Sequence, residues 1–275
     1  NIDLEEISMN HAVIHHYDDQ PVTIAEVKEI NSEQPWKWLS AGWQDIKTAP
    51  FKSLSYGLAL TAISYLLMLL IITNESYFLL PQLLAGFFLV APLLGIGLYA
   101  FSRQIESGNS PSFKQAADSI KDNYFNIFSM GLILVVALIA WVTLAHLIIA
   151  LTFTGITPAT WQGFLVTLFG TWNGFQLLVA GTVSGAVIAF MIFSISAISV
   201  PMLLDRNCNA FDAIQTSWSA MRHNRMQLLL WGGILVAIII AGFLTMFVGL
   251  IIGFPLAAHA TWHAYSDLVV RETPA

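Results

Sequence analysis

Two histidines, His259 and His263, stand four residues apart in an apolar stretch close to the end of the chain. At that spacing they share one helical face, and such a pair can chelate zinc or copper. They cannot both ligate one haem, because axial ligands approach opposite faces of the iron. A haem would need a third histidine from another helix. His146, the other histidine in an apolar stretch, lies 19 residues beyond Ile127, about 28 Å of helix rise from that end of its helix. His259 and His263 lie near the opposite end of the same layer, so the three do not converge. The pair is therefore expected either to hold a metal or to hydrogen-bond at the membrane interface, and no cofactor is called for. There is no phosphate loop, nucleophile elbow or zinc-protease motif, and nothing points to an enzyme.

Charge is absent where transport chemistry would need it. No Asp, Glu, Lys or Arg occurs from Ile127 to Leu204 or from Met226 to Ser266. Intramembrane charges mark ion and proton routes, so a proton pump or proton-coupled carrier is not expected. Passage of an uncharged solute or a lipid stays open, with Ser184, Ser194, Ser199, Thr245 and Thr261 as candidate lining hydroxyls. Gly181 with Gly185, and Gly249 with Gly253, set small residues on one helical face and permit close helix packing.

The elements that carry these residues follow from composition. The chain has 275 residues, 56% hydrophobic and 10% charged, where a soluble domain carries roughly 25% charge. So few charges cannot cover a soluble surface, and an all-α integral membrane protein results. Apolar stretches cover 53–73, 77–101, 127–151 and 175–204. A fifth block, 226–269, is too long for one helix and divides near Gly242–Gly249 into 226–242 and 249–269. Six spans put all 11 Lys and Arg on one side. The positive-inside rule makes that side cytoplasmic, with both termini. The single Cys208 excludes an intrachain disulfide.

Residues 1–33 carry eight acids and one base, a net charge of −7. Within this acidic tail, Ala12–Ile30 alternates in part and reads as an extended arm able to dock on a partner. The rest of the chain is nearly neutral, and no nucleic acid is expected as a partner.

Internal similarity organises the spans. Lys47, Lys121 and Arg222 each precede a glycine (Gly57, Gly131, Gly232) by ten residues. Apolar residues stand one and eight before each base, so each unit opens with a short amphipathic helix. Three parallel repeats follow: 34–101, 110–204 and 210–270. The second carries an outer-face insert at 153–174, with a short interfacial helix and Trp161 and Trp172 at headgroup level. Pro35 and Pro111 suit first turns, Ser110 and Asn209 suit N-caps, and Pro92, Pro201 and Pro255 kink the return helices. Trp36, Trp38, Trp43, Trp218, Trp262 and Tyr265 read as interface anchors.

Pro35-Trp36-Lys37-Trp38-Leu39 followed by Ala41-Gly42-Trp43-Gln44-Asp45 resembles the opening of domain-of-unknown-function family 2189. Ser55-Tyr56-Gly57, Pro92 with Gly97-Leu98-Tyr99, and Ser102-Arg103 with Glu106 and Gly108 continue the resemblance. Pro255, His259-Ala260-Thr261-Trp262-His263-Ala264-Tyr265 and Asp267-Leu268-Val269 are similar to its closing signature. The likeness spans about residues 35–270. It implies a bacterial inner-membrane protein of a family with no assigned active site, some of whose members carry a cytochrome c oxidase subunit I-like label. Together these features predict a non-catalytic accessory subunit or assembly factor of a larger membrane complex, with a cytochrome oxidase as the implied partner. A transporter of lipid or uncharged solute is the alternative, and a metal- or haem-binding protein using His259 and His263 the second.

Overall fold

The structure, a computed structural model, describes residues 24–77, 79–152 and 160–270. Most of the acidic tail, the first half of the outer-face insert and Arg271 lie outside them, as does the Trp161 side chain.

Twelve helices follow in order among the described residues. The first, α1 (Gln34–Thr48), has Pro35 in its first turn and Lys47 in its last. Ala49 leaves helical geometry (φ −133°, ψ 60°) because Pro50 follows it, and α2 (Pro50–Thr73) begins there. The return path is broken three residues after Pro92, giving α3 (Leu79–Leu94) and α4 (Ile96–Glu106). The second set is α5 (Phe113–Asp122), α6 (Tyr124–Thr152), α7 (Trp161–Gly170), α8 (Trp172–Ser196) and α9 (Ser199–Asp205). The third is α10 (Ala210–His223), α11 (Arg225–Leu244) and α12 (Leu250–Leu268).

Local chemistry sets several of these ends. The side chains of Thr160, Thr171 and Asn209 cap α7, α8 and α10 by accepting from the amides of Gly163, Gly174 and Asp212. Ser110 is not a cap. The residue before α5 is Ser112, in extended geometry (φ −138°) and without a side-chain cap bond, so Pro111 also stands outside that helix. Between α11 and α12 the chain turns through Met246 and Phe247, both with positive φ (53° and 67°). Such backbone is costly for side-chain-bearing residues. Two hydroxyls of α2 hold the turn: Tyr65 donates to the Met246 carbonyl (2.6 Å) and Thr61 to that of Phe247 (3.2 Å).

Five segments are long and apolar enough to cross a membrane: Pro50–Thr73, Leu79–Glu106, Tyr124–Thr152, Trp172–Asp205 and Arg225–Leu244. The sixth expected span, α12, is not among them. It is largely enclosed, packed against α1, α2, α4, α9 and α11. A helix wrapped by protein need not be apolar all round, and α12 spends its second half on polar contacts.

Two glycines let neighbours close on α12. Gly42 of α1 lies against the Ala260 backbone, where a Cβ would come to 2.7 Å of the Ala260 nitrogen. Gly57 of α2 lies against the Ile251 carbonyl, where a Cβ would come to 2.2 Å. Pro255, four residues on, cannot donate to that carbonyl, so its oxygen is left for the passing Gly57.

Residues 24–30 are extended and docked on the chain itself. Val27 pairs with Val269 in an antiparallel bridge, through Lys28 N–H to the Leu268 carbonyl (2.9 Å) and Val270 N–H to the Glu26 carbonyl (3.0 Å). Asn224 fastens both sides of Glu29, accepting from Ile30 N–H (2.9 Å) and donating to the Lys28 carbonyl (3.0 Å). The extended arm expected to meet a partner is, over these seven residues, an internal strap; Ala12 to Thr23 lie outside the described residues.

Candidate functional site

At the basic end of the bundle the polar side chains of α12 all find partners. His259 is fully buried. Its Nε2 lies 2.9 Å from Ser53 Oγ of α2, and its Nδ1 lies 2.7 Å from Ser102 Oγ of α4. Ser102 donates to Asp45 Oδ2 of α1 (2.5 Å), and His263 Nε2 lies 2.9 Å from the same oxygen. Because Ser102 gives its proton to Asp45, it accepts from His259 Nδ1–H. His259 Nε2 then accepts from Ser53. One neutral tautomer satisfies the whole row.

The same helix meets two more carboxylates and presents one of its own. Trp262 Nε1 and Ser266 Oγ donate to Glu106 (3.0 and 2.9 Å). Tyr265 donates to Asp205 (2.8 Å) and accepts from Arg206 Nε (3.1 Å). Arg103 pairs with Asp205 at 3.1 Å. Asp267 accepts from Gln34 (2.7 Å) and from Trp38 Nε1 (3.0 Å) of α1. The elements α1, α2, α4 and α9 thus present polar groups to successive positions of α12, which fixes the rotation of that helix in its socket.

These contacts revise the expected anchors. Trp36, Trp43 and Trp218 are 58%, 45% and 44% exposed, as residues at a lipid headgroup should be. Trp38, Trp262 and Tyr265 are 3% exposed or less. They are interior posts, buried with their polar ends bonded to acids. Trp38 also meets Trp231 edge-on, with ring centroids 5.5 Å apart.

The histidine pair does share one face, since both rings reach Asp45: His263 at 2.9 Å and His259 at 3.8 Å. No group of three metal-ligating side chains occurs among the described residues. Both ring nitrogens of His259 are already engaged with serines. His146 is elsewhere, its Nδ1 2.8 Å from the Val142 carbonyl of its own helix. Ser53 and His259 have the contact of a nucleophile and its base, and both are fully buried.

Sequence reading passed over Asp45 as a site residue. A signal was present: Asp45 lies on the stripe of Trp38, Gly42 and Ile46, all buried. A charge on the apolar face of an amphipathic helix is the exception that marks a paired interior group.

The second feature is apolar. A cavity of about 560 Å³ lies between α8 and α11, with α3 and α12 behind it. A smaller one, about 200 Å³, adjoins it towards Pro81 and Phe164, and the two share Ala85, Trp141, Gly181 and Thr182. No charged residue lines either. Phe190, Leu229 and Val236 on the walls are exposed, so the cleft opens sideways between the helices. The expected hydroxyl path is not there. Ser184, Ser194 and Thr261 each bond a carbonyl of their own helix, Thr245 one of α11, which it follows, and Ser199 those of Ile195 in α8 and Ala213 in α10; of the five Thr261 alone lines the cleft.

The glycine pairs divide. A Cβ at Gly185 would stand 3.0 Å from the Trp141 ring, one at Gly249 2.5 Å from Thr245 Oγ1 and one at Gly253 3.1 Å from Ile238, so these three serve close packing. Gly181 faces open space in the cleft, with nothing within 4 Å of a Cβ.

Long apolar helices whose outward faces are bare of charge, closed at one end by amphipathic helices and sealed polar pairs, define an integral membrane protein. Residues 79–205 match the model of a family described as predicted integral membrane protein (DUF2189). That match covers α3 to α9, without the resembling residues of α1 or α12. No curated protein and no solved structure matches the chain.

Proposed function

We propose that this protein is a non-catalytic, six-span membrane protein that takes up a lipid-like molecule from the bilayer into the cleft between α8 and α11. One observation carries the reading: a chain-wide apolar cavity, free of charge and open to the side. Its volume of about 560 Å³ is too small for a partner helix. Even three helical turns occupy on the order of 1,200 Å³. An acyl chain entering from the bilayer leaves one apolar medium for another, so dispersion contacts with the cleft walls and the filling of an otherwise empty space hold it there.

The cleft also fits the proposed threefold repeat. Gly57 meets α12, Gly131 meets Leu93 of α3, and Gly232 meets Phe193 of α8. Each unit thus sets its glycine on the return helix of the unit before, in a closed ring. In two of these contacts the helices pack along their lengths; α8 and α11 barely touch. The cleft is the third, opened interface of a parallel three-unit bundle. On this reading α12 is the sixth crossing, and both ends lie on the basic, cytoplasmic side of a bacterial inner membrane. A role as accessory subunit of a larger complex drew on the tail as a docking arm, but residues 24–30 are engaged internally. Bound lipid accounts for the cleft without a protein partner.

Native mass spectrometry of the full chain, gently extracted from its own membrane, tests the reading. It should carry one lipid in fixed ratio. Leucines at both Gly181 and Gly233, where a Cβ meets nothing within 4 Å, should fill the cleft and remove it. A chain that carries no lipid, or carries it equally in the filled variant, overturns the proposal.

A further inference from the structure

The cleft has a foot as well as walls, and the foot is cationic. Arg225 opens α11 and is exposed. At about 100° per residue, Leu229, Gly232, Val236 and Ile239 fall within about 40° of it around the helix, and all four line the cleft. Arg225 therefore stands on the middle of the cleft-facing stripe, one turn nearer the basic end. Arg222 ends α10, which packs against both walls, α8 and α11. It too is exposed, with Trp218 one turn before it on the same face.

Neither arginine forms an ion pair or side-chain hydrogen bond with any described residue. This contrasts with Arg103 and Arg206, which are committed to Asp205, Tyr265 and main-chain carbonyls. The strap's backbone on either side of Glu29 is held by Asn224 and Gln227. These residues are about 100° or more around α11 from Arg225.

The geometry points to an anionic glycerophospholipid as the occupant: an acyl chain between α8 and α11, and its phosphate held by Arg222 and Arg225. Guanidinium forks match phosphate oxygens two at a time, and the exposed Trp218 beside Arg222 is of the residue type enriched at the headgroup level. This rests on the cleft reading above and names its ligand.

Two probes separate the head from the tail. Phosphatidylglycerol and a headgroup-free diacylglycerol of the same chains are titrated into the solubilised full chain and followed by native mass spectrometry. Replacing both arginines by glutamine (R222Q with R225Q) should weaken phosphatidylglycerol about tenfold or more and leave diacylglycerol unchanged. Filling the cleft at Gly181 and Gly233 should remove both. If the arginine pair leaves phosphatidylglycerol untouched while cleft filling removes both probes, the headgroup assignment falls and the cleft reading stands. Equal weakening of both probes by the arginine pair also overturns the assignment. If cleft filling spares both probes, the cleft reading itself fails.

Discussion

A carboxylate taken out of water must be matched by donors, and Asp45 is matched by Ser102 and His263 on two other helices. Asp45→Asn keeps its shape but turns an amide N–H₂ towards donors. It should cost about 1–3 kcal/mol, read as a lowered thermal midpoint of the solubilised protein; an unchanged midpoint would remove the row from the forces holding α12. Gly57→Ala should cost a similar amount, about 1–3 kcal/mol from overpacking, because its methyl would meet the Ile251 carbonyl. Gly181→Ala, in open space, should be neutral or gain up to about 1 kcal/mol of helix propensity. Equal effects of the two would contradict the packing described. Burial, aided by the carboxylate of Asp212, pushes the Cys208 thiol up to about 11. At pH 8 only about one thiol in a thousand is ionised, and the thiolate is the nucleophile. Alkylation should therefore be slow in the folded protein, speed up as pH rises towards 11, and become fast on unfolding. Of the polar cluster, the histidine pair and its shared face were legible, since i, i+4 spacing is local. Its partners were not, because Ser53, Ser102 and Asp45 reach His259 from elements up to 214 positions away, and only burial distinguishes them from surface residues.

Helices were more legible than their roles. The long apolar helices begin and end within a few residues of the apolar runs, because the switch from apolar to charged residues is itself the boundary. The identity of α12 was harder to see. Its His, Trp, Tyr and Ser residues have the composition of a membrane-interface segment, yet they face other helices. Composition reports polarity, not what the polar face touches. The strap was legible as extended chain, through its alternation, but not its receptor, because Asn224, Gln227 and Thr216 hold it through backbone bonds that leave no pattern in its own sequence. Removing the Asn224 side chain (Asn224→Ala) breaks two of those bonds. Limited trypsin digestion should then cut at Lys28 several times faster than in the parent protein. An unchanged rate would mean that the bridge to Val269 alone holds the strap.

At the scale of the whole molecule, charge placement predicts an orientation and a count of six crossings. With Cys208 replaced by serine, single cysteines at Glu75 and Val248 should react with a membrane-impermeant maleimide applied to intact cells, and one at Lys114 should not. A silent Val248 position with a reactive Glu75 would remove α12 as a crossing; a reactive Lys114 would invert the molecule. The three glycines that follow a base by ten residues were readable in the sequence, and each meets another helix: Gly57 on α12, Gly131 on α3 and Gly232 on α8. The cleft was not, because the residues of α8 and α11 are as apolar as those of the closed interfaces, and only the distance between two helices separates a packed seam from an open one.

The enclosed position of α12 also has a consequence in time. The chain is made from its N-terminus, and α12 leaves the ribosome after all the helices that enclose it. Asp45 is made some 220 residues before Asp267, about 10–45 s earlier at ordinary elongation rates. Until α12 is made, Asp45, Glu106 and Asp205 lack the side chains that later bind them, and the helices around that socket wait for their keystone.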